Sequence, residues 1–280
     1  MAEKPKPQEP NPAENFTREE LEAIAREEAE RNLQNENLLA GSPLENLPPL
    51  EDGKKLEQWW LNARDVNKML DLLETKNIKD FRKIRLFAVA CCRNIENLKK
   101  QPLQSRESVD ISEKFADGHA TIEELNNVPA QPRVYSVSVS NYYNDIETAY
   151  DNVNDIARYC AMDVGLSQDS ADAARLARDN ERITQSKLLR DIFGPFAEKP
   201  IIEPSWLSWG DGAVKKIAQK IYDDRTFNDE MPILADALED AGCANKEILG
   251  HCRGPGPHVR GCWVLDLLLQ KDQGAPPQKK

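Results

Sequence analysis

Three of the six cysteines and two of the three histidines of this chain fall between Ala241 and Cys262. They lie in the stretch AGCANKEILGHCRGPGPHVRGC, around a Gly-Pro-Gly-Pro turn that also carries Arg253 and Arg260. Thiolate sulfur and imidazole nitrogen are donors that zinc takes readily, and four of them at tetrahedral corners make a closed structural site. Cys243, Cys252, His258 and Cys262 form such a set on paper. A helix starting at Pro257 puts His258 and Cys262 on one face, with Cys252 approaching across the turn and Cys243 from the end of the preceding helix. His251 is the less suitable ligand, because adjacent helical residues such as His251 and Cys252 point about 100° apart. The spacing C-x8-C-x5-H-x3-C matches no common zinc module, and free cysteine also packs as a small buried hydrophobe. Plain packing therefore ranks above zinc, and no cofactor is expected.

The same turn suggests an anion pocket. Backbone N–H groups before a helix, completed by Arg253, His258 and Arg260, suit a phosphate or carboxylate. Yet GPGPHVRG is neither a P-loop nor a dinucleotide-binding glycine pattern, and its prolines remove donors that a phosphate cradle needs. The simpler expectation pairs Arg253 and Arg260 with carboxylates such as Asp236, Glu239 or Asp240. Cys262 with His258 has the spacing of a thiolate–imidazole dyad, but that spacing is also ordinary helix packing. There is no serine elbow and no H-E-x-x-H. The sequence leans against an enzyme, and no catalytic residue is assigned.

The elements that must position these groups read as helices. KKLEQWWLNARDVNKMLDLLETK divides into two short amphipathic helices, and DFRKIRLFAVACCRNIENLKK is a helix buried through its apolar middle. SRESVDISEKFADG ends at Gly118, and Thr121 with Glu124 has the capping-box spacing for TIEELNNV. PAQPRVYSVSVS, residues 129–140, reads as loop with at most a short strand. NYYNDIETAYDNVNDIARYCAM and SADAARLARDNERITQSKLLRDIF resume helical periodicity; Ala173, Leu176, Ala177, Ile183, Leu188 and Ile192 keep to one side of the second. FAEKPIIEPSWLSW reads as an aromatic loop, MPILADALEDAGC as a helix begun by Pro232, and PHVRGCWVLDLLLQ as one begun by Pro257. The expected fold is all-α, an irregular bundle of packed helical hairpins over residues 54–270.

Residues 1–53 carry five basic and thirteen acidic side chains, which accounts for −8 of the net charge of −11. They also hold seven of the eighteen prolines. This is a disordered acidic leader with one candidate helix over 17–34, and 271–280 should fray. An acidic chain without a basic face is a poor partner for nucleic acid. No run reaches the apolar length of a membrane helix, and without a signal peptide the cysteines point to a cytoplasmic, reduced protein. Trp206 and Trp209 in PSWLSWGDG can line an aromatic groove for a protein partner. A cytoplasmic interaction module that binds a protein is the leading expectation from residues alone.

The motifs KIRLFAVACCRNI, EKFADGHAT, LLRDIFGPF, MPILADALEDAGC and HCRGPGPHVRGCWVLDLLL together resemble a heavily duplicated family of planctomycete proteins. The resemblance covers about residues 55–270 and is densest in the last 80 positions; the leader lies outside it. The chain departs from that pattern where Gly194 joins Pro195 directly, without an Asn between them. It also departs at His119, where the pattern has a hydrophobic residue. The family has no assigned activity, so the resemblance implies a fold unit and a lineage rather than a reaction.

Overall fold

In the computed structural model, residues 47–94, 103–127, 146–166, 168–196 and 199–271 are described. The leader helix over 17–34, the segment 129–140 and the tail beyond Lys271 lie outside them. Among the described residues there are eleven helices and no strand: α1 (Gly53–Asn62), α2 (Val66–Thr75), α3 (Phe81–Asn94), α4 (Leu103–Ala116), α5 (Ile122–Asn126), α6 (Ile146–Leu166), α7 (Ala171–Phe193), α8 (Pro204–Asp224), α9 (Phe227–Asp240), α10 (Lys246–Arg253) and α11 (Trp263–Leu268). None of the described helices is long and apolar enough to cross a membrane.

Local chemistry sets several boundaries. Asp52 and Asp65 accept backbone N–H groups at the starts of α1 and α2, and Asn245 does so for α10. The capping box at α5 is complete: Thr121 Oγ1 accepts from Glu124 N–H at 3.2 Å, and Thr121 N–H donates to Glu124 Oε2 at 2.7 Å. Three expectations are corrected. The aromatic loop contains a short helix from Pro204, which breaks over Trp209–Gly212, where Gly210, Asp211 and Gly212 are all left-handed, before α8 continues. α9 begins at Phe227 behind Thr226, so Pro232 sits inside it. α11 begins at Trp263 rather than Pro257, so the whole stretch 254–262 is irregular.

Two apolar cores result. α1, α2, α3, α6 and α7 enclose the first, with Trp60, Met69, Leu72, Phe87, Val153, Leu189 and Ile192 at its centre. α8–α11 enclose the second around Val214, Tyr222, Met231, Leu234 and Leu265. α3 packs against α4, α6 and α7 and is buried without a break from Arg82 to Cys92. The N-terminal half of α7 contributes no buried residue, so Leu176 stands in solvent rather than facing inward.

Ionic and tight backbone contacts join the cores. Arg82 of α3 forks onto Asp266 of α11 at 2.5 and 3.1 Å, and also donates to Asp117 at 3.0 Å and to the Tyr222 hydroxyl at 2.8 Å. The Tyr222 hydroxyl in turn donates to Asp117 Oδ1 at 2.6 Å, and Arg260 donates to the other Asp117 oxygen at 3.2 Å. Two guanidinium groups thus face two fully buried carboxylates. Burial opposes the charge on Arg82, but the attraction and hydrogen bonding of Asp266 outweigh it, and the guanidinium is held charged. Arg225 pairs in the same way with the buried Glu113 of α4.

Gly194 makes the other weld. It caps α7 at φ 74°, and a Cβ there would lie 2.7 Å from Trp263 Cγ. Its carbonyl accepts the Trp60 indole N–H at 3.0 Å.

Arg82→Met leaves Asp117 and Asp266 short of their main counter-charge and should destabilise the protein by about 3–5 kcal/mol. Gly194→Ala combines a forbidden backbone angle with a clash, and should cost roughly 2–4 kcal/mol. Urea unfolding followed by tryptophan fluorescence measures both.

Candidate metal centre

The last turn of α7 delivers Asp191 to the junction of the two cores, three residues before the Gly194 weld. Its side chain is 3 % exposed, so an ionised carboxylate there must find partners. Asp191 Oδ1 lies 2.8 Å from His258 Nδ1 and 3.1 Å from His251 Nε2, and Oδ2 accepts the Val259 backbone N–H at 2.9 Å. Burial pushes the Asp191 carboxyl up, but the hydrogen bonds and charges of the two histidines outweigh it, and the group is held below the usual carboxylate range.

His251 comes from the last turn of α10, and its Nε2 also lies 3.2 Å from Cys262 Sγ. The two imidazole rings meet edge to face at 4.7 Å between centroids, and the His251 ring leans on Trp263 at 5.1 Å. His258 is fixed from behind: its backbone N–H donates to Asn228 Oδ1 at 3.3 Å. A Cβ on Gly256 would come within 2.8 Å of that Asn228 oxygen, so only glycine, here at φ 70°, lets the loop close on α9. His258 Nε2 is buried without a partner among the described residues, so the ring is oriented through Nδ1. Burial pushes the Cys262 thiol well up, and the Asp191 charge adds to it.

One oxygen, two nitrogens and one sulfur, from Asp191, His251, His258 and Cys262, therefore all lie within 4.8 Å of one another. A tetrahedral zinc site with bonds of about 2.0–2.3 Å has donor–donor edges of about 3.3–3.5 Å. The three close pairs, at 2.8, 3.1 and 3.2 Å, are hydrogen-bonding separations. Each would open by a few tenths of an ångström to take an ion, and the other three pairs, within 4.8 Å, would have to settle to the same edge length. Above the group a cleft of about 390 Å³ opens, with Asp191, His251 and His258 lining one side.

The structure sorts the residues singled out from sequence. His258 and Cys262 come together, but through an irregular loop and not as neighbours on a helix. Cys243 and Cys252 stand apart from the group, buried in the second core at 2 % and 0 % exposure. Burial pushes the Cys252 thiol up to about 12. His251 takes the place expected of Cys252: the two do diverge on α10, and the histidine is the one turned toward α7. Asp191 had no local signal, being an ordinary last-turn acid 67 residues before His258.

Arg253, His258 and Arg260 do not share a ligand. Arg253 pairs with Asp236 at 2.8 Å and Glu239 at 2.6 Å, His258 with Asp191, and Arg260 with Asp117 and the Tyr222 carbonyl. Of the two tryptophans expected to line a partner groove, Trp209 is 39 % exposed and Trp206 is 5 % exposed, packed in the second core.

Comparison with family models, with curated proteins and with solved structures finds no match to this chain.

If Asp191 organises the loop, Asp191→Ala should destabilise the metal-free protein by about 2–4 kcal/mol, since charged hydrogen bonds are lost and Val259 N–H is stranded. Hydrogen exchange should speed up at Val259 more than in α3.

Proposed function

We propose that this chain is a metal-stabilised helical protein that holds one divalent transition-metal ion, zinc by donor type, through Asp191, His251, His258 and Cys262. The supporting observation is the convergence of four donor atoms within 4.8 Å at the seam between the two cores. Mixed nitrogen, sulfur and oxygen donors suit zinc or cobalt rather than the all-oxygen shells that magnesium and calcium require. The ion would replace the hydrogen bonds that now link α7, α10 and the loop before α11. Its +2 charge would be met by the Asp191 carboxylate and the Cys262 thiolate. Its role is to clamp three segments that are distant in sequence.

Zinc should bind one ion per chain, measured by elemental analysis of protein loaded with zinc and then desalted. Cys262→Ser and His251→Ala should each lose most of it, while Cys243→Ser keeps it. At a free zinc concentration about 100 times the dissociation constant, stability should rise by about 2.7 kcal/mol. A zinc-loaded protein that retains no metal overturns the reading. Loss of zinc in Cys243→Ser, with retention in His251→Ala, would transfer the site to the all-cysteine-and-His258 set.

A second reading, a protein-interaction module, keeps one specific support. Trp209 stands partly exposed at the break in α8, where an aromatic side chain on a rigid turn can anchor a partner.

A further inference from the structure

We infer that the centre at Asp191, His251, His258 and Cys262 selects its ion by charge, with Asp191 setting a preference for a divalent over a soft monovalent cation such as copper(I). The inference rests on the metal reading and goes beyond it, because donor softness alone draws copper(I) to a thiolate.

The charges that meet the ion are enclosed. The side chains of Asp191, His258 and Cys262 are buried, and His251 is 19 % exposed. A thiol that takes a metal gives up its proton to solvent, whichever ion arrives, and the imidazoles bind neutral. The protein then supplies two negative charges, one from Asp191 and one from Cys262. A divalent ion brings the centre to zero, whereas a monovalent ion leaves it at minus one. A net charge at this depth carries a desolvation penalty that a neutral centre escapes.

The surroundings do not correct that difference. In the cleft, Lys187 and Arg190 stand against Glu57 and Glu247. Across the seam, Arg82 and Arg260 stand against Asp117 and Asp266. Each set cancels, so the balance rests on the ligands themselves. Of the two charged ligands, the thiolate serves either ion, and the carboxylate is the hard donor that softness gives copper(I) no reason to prefer. Against its burial, hydrogen bonds from His251 and His258 hold Asp191 ionised before any ion arrives. Without that carboxylate, His251, His258 and Cys262 form a set with one negative charge, which a monovalent ion neutralises.

Zinc and copper(I) affinities of the full chain, measured without oxygen by competition with a chromophoric chelator for each ion, test this directly. A charge acts on a divalent ion with twice the Coulomb energy that it exerts on a monovalent one. Asp191→Asn should therefore weaken zinc about 100-fold and copper(I) about tenfold. A merely structural role for Asp191 would weaken both ions equally, and that result overturns charge selection. Lys187→Glu, an exposed change one helical turn before Asp191, keeps the test open should Asp191→Asn fail to fold. It should tighten zinc about threefold and copper(I) less than about twofold, as for partly screened charges. Equal tightening of both ions, or none, overturns the inference and leaves the metal reading standing. A wild-type chain that takes up no zinc overturns both.

Discussion

A single buried carboxylate governs the C-terminal third of this molecule. Asp191 sits at the end of α7 where the two cores meet, almost without access to water. An ionised group in that position is costly unless donors surround it. The donors come from the Gly-Pro loop, as His258 Nδ1 and the Val259 N–H, and from α10, as His251 Nε2. The loop cannot make a regular ladder, since Pro255 and Pro257 lack N–H groups. Its course is set by what Asp191 and Asn228 accept.

The seam carries two polar clusters that differ in kind. Around Arg82, two guanidinium groups face two carboxylates, with Tyr222 between them, and every charge has its opposite. That arrangement is closed, and it holds the cores in register. Around Asp191, one carboxylate faces two imidazoles and a thiol, all of them able to become metal ligands, beside a cleft. The Arg82 cluster, by contrast, has no donor to offer an ion. The same physical demand, a buried charge satisfied, yields a structural rivet in one place and a candidate binding centre in the other.

Within the candidate site, half of the donors were legible and half were not. His258 and Cys262 stood out because two rare residue types fell together beside a turn. His251 was set aside by a sound geometric rule applied without a third body. Adjacent helical residues do diverge, but which of His251 and Cys252 turns toward the site depends on where α7 passes. Trp206 and Trp209 show the same gap: three positions apart, one completes the core and the other stands at a break made by three left-handed residues. The local pattern marks aromatic weight, not the side from which the second core approaches.

The amino-acid sequence by itself determined the helical class, the capping at Thr121 and Glu124, the apolar middle of α3 and the density of soft donors near the C-terminus. These follow from interactions within about one turn of chain, and the residues that make them are neighbours in the sequence. Only the tertiary structure decided that Asp191 belongs with His251, His258 and Cys262, and that Arg82 meets Asp266 across 184 positions. Those pairings arise from satisfying buried charge after the helices have packed. A carboxylate on a helix looks the same in sequence whether it ends in water or at the seam, and the packing alone sets which cost must be met.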